Sequence, residues 1–139
     1  MFKFKVLTSI LVLFLAVSSL NSCKKYPDGP GLSLLTRKAR MQGKWDLQQT
    51  EHADGTTTND PYKYVLELKK GGTLTYTMGN ISSDGQWAFS SDKSHVTFTG
   101  AGATGTFLIR RLKNRQLWLQ DESSLDVFKY ETFDNNALY

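Results

Sequence analysis

From Trp45 onward, apolar and polar residues alternate with a period of two, the signature of half-buried strands. Trp45, Leu47 and Gln49 fall on one face of a first segment. Tyr62, Tyr64, Leu66 and Leu68 share a face of the second, with Lys63, Glu67 and Lys69 opposite. Leu74, Tyr76 and Met78 follow, then Trp87 with Phe89, and Val96 with Phe98. GTFLIRRL gives a sixth segment, Leu117 and Leu119 mark a seventh, and Phe128 and Tyr130 an eighth. Turn chemistry separates them: Gly71-Gly72, Gly79 to Gly85, Ser91 to Ser94, Gly100 to Gly102 and Lys113 to Arg115. Connections this short make neighbouring strands antiparallel.

Such a sheet has one greasy face and needs a cover. The chain offers one short helix, Ser33 to Trp45, with Thr36 as its N-cap, Gly43 at C′, and Leu34, Leu35 and Met41 as an apolar side. One helix cannot cover eight strands. Closing the sheet on itself buries the greasy face and removes its edges. The pattern therefore predicts an all-β fold, an up-and-down antiparallel eight-stranded barrel with the helix at one mouth. A two-sheet sandwich is the alternative.

The N-terminus has a different organisation. MFKFK is a basic start, and Val6 to Val17 is an apolar run of signal-peptide length. A spanning helix needs about 20 apolar residues, so this run is short for one. SSLNSC then ends at Cys23, the single cysteine. Leu20, Ser22 and Cys23 resemble the lipobox of bacterial lipoproteins. That resemblance implies cleavage before Cys23 and acylation of its thiol and new amine. Each buried CH₂ contributes about 0.8 kcal/mol, so several chains on one residue anchor firmly where one does not. Lys24 to Ser33 holds two prolines and two glycines, which excludes a helix or a central strand and reads as a tether. Its composition resembles the start of small Bacteroidota surface lipoproteins. Lys24 in place of Asp after the cysteine favours the outer membrane as destination. The chain divides into a leader at 1–22, a lipidated Cys and tether at 23–33, and a barrel domain at 34–139.

Composition narrows the function classes. Of 139 residues, 17 are Lys or Arg and 13 are Asp or Glu, a formal charge of +4. Lys3 and Lys5 belong to the leader; without them 15 basic side chains face 13 acidic ones. A near-neutral domain lacks the clustered basic footprint expected of a nucleic-acid binder. One cysteine excludes an internal disulfide and a Cys-based zinc site.

Gly43-Lys44-Trp45, just after a short helix and at the start of the first strand, resembles the lipocalin-like family. Gly85-Gln86-Trp87 and the late run Leu112 to Leu119 are similar to its short bacterial members. The resemblance covers roughly Ser33 to Phe133. It implies that Trp45 plugs the closed end of the barrel, with a basic residue over its ring, for which Lys129, Arg110 and Arg111 are the candidates. The chain lacks the disulfide and the Thr-Asp-Tyr turn of other members, so the resemblance implies a barrel and not a ligand class.

Candidate chemistry is thin. His52 and His95 show no metal-ligand spacing. Gly100 to Gly105 lacks the Lys-Ser/Thr ending and following helix of a phosphate loop, and reads as a hairpin turn. Asp121, Glu122 and Asp126 lack the Gly and bidentate Glu of an EF-hand loop and read as a solvated turn. Arg37, Lys38 and Arg40 read as a solvated helix face. No enzyme, cofactor or metal is expected. An eight-stranded barrel is filled by side chains or holds one small ligand. Tyr64, Tyr76, Trp87 and Phe98 are the candidate walls for a small apolar ligand. The competing expectation is a filled barrel whose loops contact a protein or glycan.

Overall fold

Thr36 opens the first described element of the computed structural model, which describes residues 36–113 and 115–132. Its hydroxyl accepts the Ala39 N–H at 3.1 Å and caps helix α1, Arg37–Met41. The helix is shorter than the predicted Ser33–Trp45. Gln42 is already extended, Gly43 starts a strand, and Leu34 and Leu35 lie outside the described residues, as do the leader, Cys23 and the tether. Among the described residues nine strands follow: β1 Gly43–Glu51, β2 Thr57–Asn59, β3 Tyr64–Leu68, β4 Thr73–Met78, β5 Ile81–Phe89, β6 His95–Gly100, β7 Gly105–Lys113, β8 Gln116–Gln120 and β9 Val127–Glu131.

Every pairing is antiparallel and runs between successive strands from β3 to β9. The last strand returns to the first, Glu51 opposite Val127 and Asp46 opposite Glu131. On its other edge β1 has two partners, β3 along Gly43–Asp46 and β2 along Gln49–Glu51. Eight strands thus close a barrel, and β2 fills the edge that β3 leaves. One closed sheet excludes the sandwich. The ladder positions α1 and the β3–β4, β5–β6 and β7–β8 turns at one end, and the remaining loops at the opposite mouth.

The inward row is the predicted one through the middle of the barrel. Trp45, Leu66, Leu74, Val96, Ile109, Leu117 and Leu119 are essentially inaccessible, and Met41 from α1 packs among them. The prediction fails where the alternation itself breaks. Gln48 is an extra residue, because Leu47 opposes Tyr130 while Gln49 opposes Lys129. Beyond this bulge Thr50, not Gln49, opposes the inward Phe128. Tyr62, expected inside, is 61% exposed. It precedes β3, and Lys63 at φ 52° turns the chain between them. Met78 ends β4 at the rim and is exposed.

Two loops are more ordered than their composition suggests. The reading of Gly79 to Gly85 as one turn is corrected to Gly79-Asn80, with Gly79 at φ 59°; Ile81 already belongs to β5. Ser82 and Asp84 continue that strand because their side chains bond to Thr77 and Thr75 across the pair. The segment from His52 to Asp60 contains β2.

Gly85 marks the closest approach of β5 and β6. A Cβ there would lie 2.4 Å from the Thr99 carbonyl oxygen, and 3.0 Å from the Ala101 Cβ. Gly71 has open space around it. Gly85→Ala is expected to lower stability by about 1–3 kcal/mol through overpacking, while Gly71→Ala leaves it nearly unchanged. Urea unfolding followed by Trp fluorescence checks the contrast, and equal midpoints would contradict this packing.

Candidate functional site

The helix end is plugged. Trp45 is fully buried, and its indole N–H donates to the Met41 carbonyl at 2.9 Å, satisfying one of the helix's terminal acceptors. The Arg40 guanidinium donates to the Leu112 carbonyl at 2.9 Å and ties α1 to β7. Trp87 does the same for a turn: its indole N–H reaches the Lys69 carbonyl at 3.0 Å. Two indoles thus help fill this half, and each pairs its one donor with a helix end or a turn.

The opposite half has tyrosines. Tyr64 and Tyr76 stack at 5.7 Å between ring centroids with their planes 17° apart, and both stay half-buried. Tyr62 leans on Tyr64 from outside at 5.8 Å. The Asp60 carboxylate accepts the Tyr62 and Tyr64 backbone N–H groups and so fixes the chain entering β3. Burial pushes the Tyr76 phenol up to about 12, with Tyr64 and Asp60 adding to the effect. Tyr130, buried on β9, is also raised, again by burial first and then by Tyr76 and Asp60. Both phenols are neutral donors at physiological pH. Phe107, stacked edge-on to Phe128 at 6.0 Å, continues the aromatic lining.

A cavity of about 400 Å³ opens beside this group, where β1 leaves β3 and has not yet met β2. Leu47, Tyr64 and Val65 supply its apolar surface, and Asp46, Asp60 and Lys63 its polar rim. Burial holds the Asp46 carboxyl above its ordinary range, against the opposing pull of Lys44. The bulged Gln48 offers its carbonyl to the Asp60 N–H at 3.2 Å, which pins one side of the slot. A shallower depression of about 280 Å³ lies over Gln86, Ala88 and Thr97.

The four candidate walls fall into two pairs. Tyr64 and Tyr76 are together at the mouth, and Tyr64 lines the cavity. Trp87 and Phe98 oppose each other across β5 and β6 and are only 5% and 2% exposed, so they present almost no surface. Gly43 and Trp45 are the first and third residues of β1, directly after the C-cap Gln42 of α1. The three candidate cations act elsewhere. The Arg111 guanidinium and the Lys129 ammonium lie 4.8 and 4.7 Å from the centre of the Trp118 ring, on the outer wall. Arg110 bonds to the Gln120 side chain at 3.1 Å. Glu51 clamps Lys129, and that hydrogen bond holds its carboxyl below the usual range. This outer cluster is a row of register partners, Arg111, Trp118, Lys129 and Gln49. Arg110 is the extra residue of a second bulge, which no alternation in the sequence marks.

The remaining polar candidates are committed to loops. His52 contacts Asp126 at 3.3 Å, and His95 contacts Glu122 at 3.1 Å. Asp121 accepts from the Ser123 backbone and hydroxyl, which lowers its pKa and shapes the loop. Among the described residues no group of three metal-ligating side chains comes together.

No protein-family model matches the chain, and no curated protein does. Solved structures do. A lipocalin-like protein from Bacteroides uniformis superposes with a TM-score of 0.58 at 17% identity, over 68% of this chain and 99% of that one. A DUF4847 family protein from Bacteroides vulgatus gives 0.47 at 11% identity, over 65% and 92%. The chain has a lipocalin-like barrel fold.

The tyrosine cluster sets an alkaline limit. A phenol with a raised native pKa is held more tightly in the folded state, so stability is undiminished below pH ~10 and falls as pH rises toward ~12. Tyr76→Phe is expected to flatten that fall relative to the parent. Urea midpoints measured across this range check it, and identical slopes would place the phenol in water.

Proposed function

We propose that this protein is a membrane-anchored lipocalin-like lipoprotein that binds a small apolar ligand at the open half of its barrel. The stacked, half-buried Tyr64–Tyr76 pair beside the cavity of about 400 Å³ carries this reading. Ligand sites are concave and mainly apolar, with a few placed polar groups. Here Leu47, Tyr64 and Val65 offer the apolar face, with Tyr76 stacked on Tyr64 behind it, and Asp46, Asp60 and Lys63 offer the polar one. A molecule with an apolar body and one polar end matches that arrangement. Trp87 and Phe98 would support the floor without touching it. Binding without chemistry agrees with an acid–base inventory already spent on loop hydrogen bonds.

A second reading has support from the helix end, which Trp45, Met41 and Trp87 fill. On that reading the barrel is a solid scaffold and its loops meet a protein or glycan.

Native mass spectrometry and titration with a fluorescent fatty acid separate the two. Binding that weakens about tenfold in Tyr64→Ala and Tyr76→Ala, and is unchanged in Trp118→Ala, is expected for the carrier. If no small molecule co-purifies and the fatty acid does not bind, the scaffold reading stands instead.

Attachment is the other half of the proposal. Cys23 would carry the acyl chains after removal of residues 1–22, and Lys24 to Ser33 would hold the barrel off an envelope membrane, the outer one by the residue after the cysteine. Cys23→Ala is expected to move the protein into the soluble fraction and abolish labelling by a radioactive fatty acid. Continued membrane partition without labelling would mean an uncleaved anchor.

A further inference from the structure

The two ends of the barrel carry opposite charge. At the helix end α1 brings Arg37, Lys38 and Arg40, followed by Lys44. The β3–β4 turn adds Lys69 and Lys70, and the β7–β8 turn is flanked by Lys113 and Arg115. In the β5–β6 turn Asp92 offsets Lys93, Glu67 lies opposite Lys44, and the exposed Glu131 ends β9 opposite Asp46, so the basic side chains outnumber the acidic ones without excluding them. Arg40 donates to the Leu112 carbonyl and Lys69 to the Thr75 hydroxyl, and the side chains of Lys38, Lys44, Lys69, Lys70, Lys113 and Arg115 are exposed. At the mouth the order reverses. Asp54 and Asp60 stand in the loops around β2, and Asp121, Glu122 and Asp126 in the β8–β9 loop, where Glu122 reaches back to His95 at the start of β6; Lys63 is the one Lys or Arg in the described mouth loops. A near-neutral net charge conceals this separation, because strands that alternate direction return widely spaced lysines to the same end.

We propose that the helix end is a docking surface for anionic phospholipid headgroups, so that the tyrosine-lined mouth faces away from the bilayer. Several exposed cations on one end complement a negative surface, and their attraction acts only within a Debye length, about 8 Å at physiological salt. The N-terminal segment enters the domain at this end and carries Lys24 and Lys25, of the same sign. Attachment there brings the basic end within range. This inference rests on the attachment reading for proximity, not on acylation as its means.

The test uses the full chain reconstituted in vesicles of phosphatidylcholine with or without phosphatidylglycerol. A fluorophore is placed at Gly71→Cys, in the helix-end turn, or at Asn80→Cys, at the mouth, and a headgroup-attached spin label is the quencher. Mass spectrometry first reads whether Cys23 is acylated; if it is not, the attachment chemistry above is wrong and labelling proceeds in Cys23→Ala. The expected result is several-fold stronger quenching at position 71 than at 80 with phosphatidylglycerol present. That difference should vanish in pure phosphatidylcholine, in about 1 M salt, where the Debye length is about 3 Å, and in the triple variant K69E/K70E/K113E. Equal quenching at both positions overturns the proposal. So does a difference that persists without anionic lipid, because the tether alone would then set the orientation. Should the triple variant fail to fold, the salt and lipid arms decide.

Discussion

The ladder between β9 and β1 is the contact on which the rest depends. A meander with one apolar face and no helical layer has nowhere to put that face except against itself. Closure at Val127–Glu131 turns an edge into a wall and makes the inward row continuous. It also forces β1 to serve three neighbours, since its outer half has left β3 and takes β2 instead. The two bulges, at Gln48 and Arg110, lie on strands that pair across or near this seam. Each adds bend and twist to its strand, as closing a tilted sheet requires. The gap at the β1–β3 divergence is the cavity described beside Tyr64, so the candidate site is a by-product of how the barrel closes.

The interior is divided by side-chain chemistry. Toward α1 the indoles of Trp45 and Trp87 each present one donor, and each finds a carbonyl at a chain end or turn. That half is filled by buried side chains. Toward the mouth the half-buried phenols of Tyr64 and Tyr76 keep polar tips at the edge of the core, while Tyr130, farther along β9, is buried beneath them. A ring that is apolar along its body and polar at its tip suits a boundary between core and water. The gradient from Trp to Tyr along the axis therefore tells the closed end from the open one.

The outer wall follows different rules. Threonines and serines on β4 and β5 bond across the pair and keep that side polar. On β7 to β9 the large ring of Trp118 faces outward and is covered by the Arg111 guanidinium and the Lys129 ammonium, 4.8 and 4.7 Å from its centre. Trp118 lies between Leu117 and Leu119, both fully buried, so the period of two sends it outside although it is the largest apolar side chain of that strand.

Much of this was legible beforehand. Alternation in Leu66, Leu74, Val96, Phe98, Leu117 and Leu119 is a local property of a pleated strand, and one buried face leaves no freedom to invert it. Thr36, Gly72 and Gly79 mark their cap and turns through their own backbone or side-chain preferences. The leader and Cys23 rest on sequence alone. What the sequence could not determine depends on register between distant strands. The place of an extra residue such as Gln48 is defined only against Tyr130 and Lys129, some eighty positions away. Two of the three cations expected near Trp45, Arg111 and Lys129, went to Trp118 because a cross-strand row joins β7, β8 and β9 there, and Arg110 went to Gln120. The pairing of Tyr64 with Tyr76 was decided by the β3–β4 register, the sinking of Trp87 and Phe98 into the core by closure, and the sorting of lysines to one end by alternating strand direction. A single chain specifies which residues are buried; only the closed ladder specifies which of them meet.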